Sequence, residues 1–225
     1  MRYLYKALYH LGLSSITRHR YIWYASYGSN TLNERFYCYL KGGQIAGNNR
    51  QFKGCQDPSL PIDESPVLFN HALYFAKRSS SWNGGGVAFV NVESSPDQRT
   101  LGKMFLIKKC QLPEILQQEN NRDVIPVIDF DELLRTGSTV AWNDAWYGRL
   151  IYLGTKRSHA IVTFTHATNQ NVFRSPSREY LETIIKGLRT THSLSNLDLA
   201  TYLSGLQGIA ANYSQHQLNE IINNA

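Results

Sequence analysis

Tyr21-Ile22-Trp23-Tyr24-Ala25-Ser26-Tyr27-Gly28-Ser29-Asn30 is an apolar, aromatic run that ends abruptly on three residues of another kind. A short apolar run bounded by turn residues reads as a strand buried on both faces. The small Ala25 and Ser26 let a neighbour pack closely against its end. Gly28, Ser29 and Asn30 tolerate unusual backbone angles and favour turns and helix starts. Working outward, residues 31–41 place Leu32, Phe36, Tyr39 and Leu40 on one helical face, and Gly42 and Gly43 stop the helix. A strand, a glycine turn and a helix N-terminus present several backbone N–H groups to an anion, so this is a place to hold a carboxylate.

The composition is that of a folded chain: 225 residues with 42% hydrophobic and 12% aromatic side chains bury a substantial core. The net charge of +6 favours the approach of an acidic partner but does not establish nucleic-acid binding, because the basic residues are scattered. Three cysteines, Cys38, Cys55 and Cys110, stand far apart without a CxxC, which indicates neither a disulfide framework nor a zinc site. The opening residues lack the apolar core of a signal peptide, and no run reaches the roughly 18 apolar residues of a membrane span. The expected home is the reducing cytosol, with no membrane partner. Leu4, Leu8 and Leu11 share a helical face, so residues 2–12 read as a short docking helix.

Downstream, residues 44–66 are rich in Gly, Asn, Asp, Ser and Pro and read as a long loop, a length more often functional than idle. Strands are expected at 72–76, 86–92 and 101–107, with the Gly-rich segment Ser79-Ser80-Ser81-Trp82-Asn83-Gly84-Gly85-Gly86 between the first two. Leu112, Ile115 and Leu116 stand at i, i+3 and i+4 of a helix over 111–120, and Glu119 falls at i+7 on the same inward face. Residues 120–146 form an irregular crossing with a short helix near 129–135, followed by strands at 147–153 and 159–165. Ser175 and Pro176 read as the cap and first turn of a helix whose buried face is Leu181, Ile184, Ile185 and Leu188. Two more helices are expected at 194–206 and 214–223, the first with Ser195 and Asp198 as a capping box.

Three motifs in this order resemble the γ-glutamylcyclotransferase family. They are the aromatic strand ending in Tyr27-Gly28-Ser29-Asn30, the Trp82-Asn83-Gly84-Gly85-Gly86 segment opening a strand at Val87-Ala88, and Pro176-Ser177-Arg178-Glu179-Tyr180 opening a late helix that includes Gly187. A fourth point is Glu119, which aligns with the family's proton-transferring glutamate, although Asn120 stands where glycine is usual and would supply a left-handed helix end. The resemblance implies a mixed α/β fold built on a small, partly closed β-barrel with helices outside. It also implies three segments: an extension at 1–20, the family domain at 21–190 and a helical extension at 191–225. It assigns catalysis to Glu119 and substrate binding to Tyr24, Ala25, Ser26, Tyr27, Gly28, Ser29, Asn30 and Tyr180. The reaction implied closes a γ-glutamyl compound to 5-oxoproline with release of an amine or amino acid, using no cofactor and no metal. The partner is then a small γ-glutamyl molecule, and the oligomeric state is open, a homodimer included.

Other chemistries find less in the residues. Cys38 sits within a helical repeat and Cys110 precedes one, and neither has the turn of a nucleophile. The seven histidines show no metal-ligand spacing. A catalytically inactive member of the same fold, binding a small anion or a γ-glutamyl ligand, is the alternative reading.

Overall fold

The computed structural model describes residues 2–11, 19–45 and 50–225. In chain order the elements are α1 (Arg2–His10), β1 (Tyr21–Ser26), α2 (Asn33–Lys41), β2 (Gly43–Gln44), β3 (Gln51–Phe52), β4 (Asp63–Phe69), β5 (Leu73–Ser79), β6 (Gly85–Val90) and β7 (Thr100–Lys108). They continue with α3 (Gln111–Glu119), α4 (Phe130–Thr136), β8 (Ser138–Val140), β9 (Arg149–Lys156), β10 (His159–Thr165), α5 (Arg178–His192), α6 (Asn196–Ser204) and α7 (Gln215–Asn224). The fold is mixed α/β. Six strands form one sheet in the order β4-β7-β1-β10-β9-β8, and β5 with β6 and β2 with β3 form two-stranded pairs. The order is open, with β4 and β8 at the edges, so the sheet does not close into a barrel.

β1 is an inner strand, buried at all six residues and parallel to β10, with Trp23 opposite Ile161 and Tyr24 opposite Val162. Its unbroken apolar run follows from cover on both faces. β4 begins inside the segment expected as a loop, 44–66, and runs past its end; its Pro66 cannot donate to a ladder, a defect that an edge strand tolerates. Of the same loop, residues 46–49 lie outside the described residues. No helix among the described residues is long and apolar enough to cross a membrane.

The chain divides into two compact units. Unit 1 comprises Met1–Ser26, Glu34–Ser65 and Met104–Ala167; unit 2 comprises Tyr27–Asn33, Pro66–Lys103 and Thr168–Ala225. In unit 1, Tyr24 stacks between Phe36 and Phe164, with ring centroids 5.3 and 5.0 Å away, and Phe36 stacks on Phe105 at 4.1 Å. Leu112, Ile115 and Leu116 of α3 join this core, as their spacing predicts. α1 departs from expectation: Leu4 and Leu11 are exposed, and Tyr9 is the residue fully buried, against Trp23 and His159. A tyrosine ring offers more apolar area to a shallow site than a leucine, and that area decides which face docks.

Unit 2 holds the β5–β6 hairpin and α5, α6 and α7. Leu181, Ile184, Ile185 and Leu188 of α5 are buried with Leu199 and Leu203 of α6 and Leu218, Ile221 and Ile222 of α7. The Ser195–Asp198 capping box forms, and Ser214 with Gln217 makes a second one at the start of α7. The segment expected as a C-terminal extension is therefore packed into this unit.

Candidate functional site

Within unit 2, Ser29–Thr31 form one 3-10 turn. Thr31 N–H donates to Gly28 O at 3.1 Å, Leu32 N–H to Ser29 O at 3.3 Å, and Thr31 Oγ1 to Gly28 O at 2.8 Å. Leu32 is extended, so α2 starts at Asn33 rather than on the turn itself. The N–H groups at the head of this site belong to the 3-10 turn, whose leading donors are not used within it. Ser29, Asn30 and Thr31 are all buried.

α5 brings two of its residues onto this turn. A Cβ placed on Gly28 would lie 2.9 Å from Tyr180 Oη, so only a glycine lets the hydroxyl come this close. Seven residues further along the same helical face, a Cβ on Gly187 would lie 2.2 Å from Thr31 Oγ1 and 2.6 Å from Thr31 C. Tyr180 Oη accepts the N–H of Ala88 at 3.2 Å, and its ring packs on Trp82 at 4.7 Å and edge-on to Phe75 at 6.2 Å. The helix begins two positions later than the Ser-Pro pattern predicts: Ser177 is the cap and accepts from Tyr180 N–H, while the carbonyl of Ser175 is engaged by Gly86 N–H at 2.8 Å.

The adjoining glycines have a packing reason of their own. A Cβ on Gly85 would lie 2.4 Å from Ser177 N, and one on Gly86 would lie 2.3 Å from Arg174 O. Residues 173–177 cross the β5–β6 hairpin in contact with its backbone, which a side chain would block. A polar cleft of about 500 Å³ lies over this crossing, lined by Asn83, Gly85, Arg174, Ser175, Ser177 and Asn212. Glu179 sits in the first turn of α5, where its own N–H, then Ser177 and Asn83, hold its carboxyl below the usual range.

Glu119 belongs to unit 1 and is half-buried at the last residue of α3. Its Oε2 accepts from Tyr39 Oη at 3.0 Å. Gln118, its neighbour, donates from Nε2 to Tyr39 O at 3.0 Å and accepts Gly54 N–H at 3.1 Å. Arg50 lies over the Tyr39 ring at 5.4 Å and the Phe52 ring at 4.7 Å, and the buried Arg35 faces Phe52 at 5.8 Å. Burial first, then the charge of Glu119, pushes the Tyr39 pKa up, with Arg35 and Arg50 pulling the other way. A cleft of about 220 Å³ beside this cluster is lined by Arg50, Phe52, Lys53, Gln118, Asn121 and Arg122. The left-handed residue at the end of α3 is Asn121, not Asn120. Asn120 instead ties two segments together, its Nδ2 donating to Leu116 O and Tyr147 O and its Oδ1 accepting Tyr147 N–H.

The structure thus brings Gly28 against Tyr180 in unit 2, which also holds Tyr27, Ser29 and Asn30 of the same turn. In unit 1 it gives Glu119 a phenol and two guanidinium groups around that phenol. Tyr24, Ala25 and Ser26 are buried residues of β1 in unit 1, where Ala25 O accepts from Thr163 Oγ1 at 2.7 Å. Tyr39 was read from the sequence only as a core residue, and Arg35 and Arg50 not at all; the one visible signal was a buried-face arginine, Arg35, beside an aromatic stripe. Among the described residues no three His, Cys, Asp or Glu side chains gather as metal ligands.

No family model matches the chain. It is 33% identical over 198 residues to histone deacetylase 5 of Arabidopsis thaliana, a match covering 81% of this chain. The chain spans about 30% of that relative's length. Among solved structures it superposes on a gamma-glutamyl cyclotransferase with a TM-score of 0.48 and 15% identity, covering 91% of this chain and 99% of the other. It also superposes on an uncharacterized human protein with a TM-score of 0.46 and 18% identity, covering 90% and 98%. Likeness at this level decides nothing about chemistry, and the functional reading rests on the site's own residues.

Proposed function

We propose that the chain is an enzyme of γ-glutamylcyclotransferase type. The α-amino group of a γ-glutamyl compound attacks its own side-chain γ-carbonyl, the bond from that carbonyl to the departing nitrogen breaks, and 5-oxoproline and an amine or amino acid leave. The observation that supports this reading is the approach of α5 to the turn: Tyr180 Oη at Gly28 and Gly187 at Thr31. The resemblance requires that pairing, and a separation of the two regions would have ruled it out. In this reading the backbone N–H groups of Tyr27–Asn30 hold the substrate carboxylate or the developing oxyanion, with Tyr180 against the ligand. Tyr24, Ala25 and Ser26 form the strand end that leads into them. Glu119 takes the proton from the α-ammonium and returns one to the departing amine, which balances the exchange without a cofactor. The remaining task is to hold the substrate folded for attack, where orientation supplies much of the rate.

The test is release of 5-oxoproline, followed by mass spectrometry, from glutathione, a γ-glutamyl dipeptide and a γ-glutamyl amine. Wild-type protein is expected to release it from at least one of them. Glu119→Gln keeps the size of the side chain and removes the base, so release falls by at least about a hundredfold, with little change in melting temperature. Wild-type protein that releases none from any of the three overturns the reading.

A second reading draws on one specific observation, that the chain matches only 30% of the length of its deacetylase relative. In that reading the chain is a module of a longer polypeptide that binds a small anion or γ-glutamyl ligand without turning it over. Calorimetric binding of a γ-glutamyl compound with no product formed would favour it.

A further inference from the structure

We infer that Tyr39 is the positioning residue for the Glu119 carboxylate in the cyclisation proposed above, an inference that rests on that reading. Two consecutive residues of α3 grip this tyrosine at opposite ends. Gln118 Nε2 donates to its backbone carbonyl at 3.0 Å, and Glu119 Oε2 accepts from its hydroxyl at 3.0 Å. The same carbonyl also accepts from Cys55 Sγ at 3.3 Å. The ring between these two ends is fully buried, with Phe52 edge-on at 4.8 Å and Arg50 over its face at 5.4 Å. A phenol clamped in this way has a single place to put its hydrogen.

Glu119 needs such a clamp because it is the last residue of α3, where helices fray and a long side chain samples several rotamers. A general base works only within hydrogen-bond reach of its proton, in a fixed direction. Tyr39 fixes one carboxylate oxygen and therefore the plane of the group. The phenol remains a donor across the working pH, because burial and the neighbouring carboxylate both favour its protonated form. The ion-dipole contact also offsets part of the cost of covering the Glu119 carboxylate.

Tyr39→Phe removes the hydroxyl and keeps the ring between Phe52 and Arg50. The expected result is a fall in kcat for 5-oxoproline release of about tenfold to a hundredfold, the range of a hydrogen bond to a charged group. KM is expected to stay within about twofold and the folded fraction by circular dichroism to stay unchanged, whereas a loss of packing alone would lower kcat only in step with a loss of folded protein. Independently of turnover, Tyr39→Phe and Glu119→Ala are expected to shift the melting temperature by less together than the sum of their separate shifts, because each removes the same bond. A kcat within about twofold of wild type, or melting shifts that add, overturns the role of Tyr39. Absence of 5-oxoproline from the wild type overturns the cyclotransferase reading itself, and that failure appears before any substitution is made.

Discussion

Tyr9 is fully buried against Trp23 and His159, and burial, with the charge of Asp63 adding to it, pushes its pKa up to about 12. Folding therefore favours the protonated phenol. That stabilisation is complete below the unfolded value of about 10 and is lost as the pH rises from there through about 12. The melting temperature is expected to fall more steeply over this range for the wild type than for Tyr9→Phe, by circular dichroism; equal slopes would place the titration elsewhere. Local spacing marked Leu4, Leu8 and Leu11 in this helix and missed Tyr9, because periodicity identifies faces and the partner surface selects among them. The hydrogen bond between Tyr39 and Glu119 was out of reach for a related reason. Spacing put each residue on the inward face of its own helix, but the two are 80 positions apart and nothing in either segment names the other. The Tyr27–Asn30 turn was legible because a turn is written in consecutive residues.

At the scale of elements, α5 is positioned by a glycine that helix propensity disfavours. Replacing Gly187 with alanine in a helix interior gains about 1 kcal/mol of propensity. The added methyl would lie 2.6 Å from the backbone carbon of Thr31, which cannot rotate away. Overpacking of this kind costs about 1–3 kcal/mol, and the backbone contact puts it at the upper end. Gly187→Ala is therefore expected to destabilise the protein by about 1–2 kcal/mol in urea unfolding, and a stabilised variant would show that α5 does not rest on the turn. Helices and most long strands were read well because their periodic faces are repeated several times; β4, interrupted by Pro66, is the exception. β2, β3 and β8 were not read, since two or three residues carry no period, and the cap of α5 was displaced by pairing of Ser175 with Gly86, a partner 89 positions away.

Across the whole molecule, each unit is assembled from three separated pieces of chain. The expected boundary at 190 falls in the last turn of α5, and the buried side chains of α6 and α7 beyond it belong to unit 2, with Arg189 donating to Ile222 O at 2.7 Å. A chain ending at residue 190 exposes Leu181, Ile184, Ile185 and Leu188 wherever α6 and α7 cover them. It is expected to aggregate or to lose its cooperative transition, as read by gel filtration and thermal melting. Recovery of a soluble chain with wild-type melting would show the helices to be dispensable. This interleaving also has a temporal side. Tyr27–Asn33 is synthesised well before α5, the helix it meets, which begins at Arg178, and the Leu218, Ile221 and Ile222 contacts come later still. Closing contacts of such separation is slow and leaves apolar surface uncovered meanwhile. The nascent turn must therefore wait while the residues between it and α5 are made, and a chaperone that shields it has that whole interval in which to act.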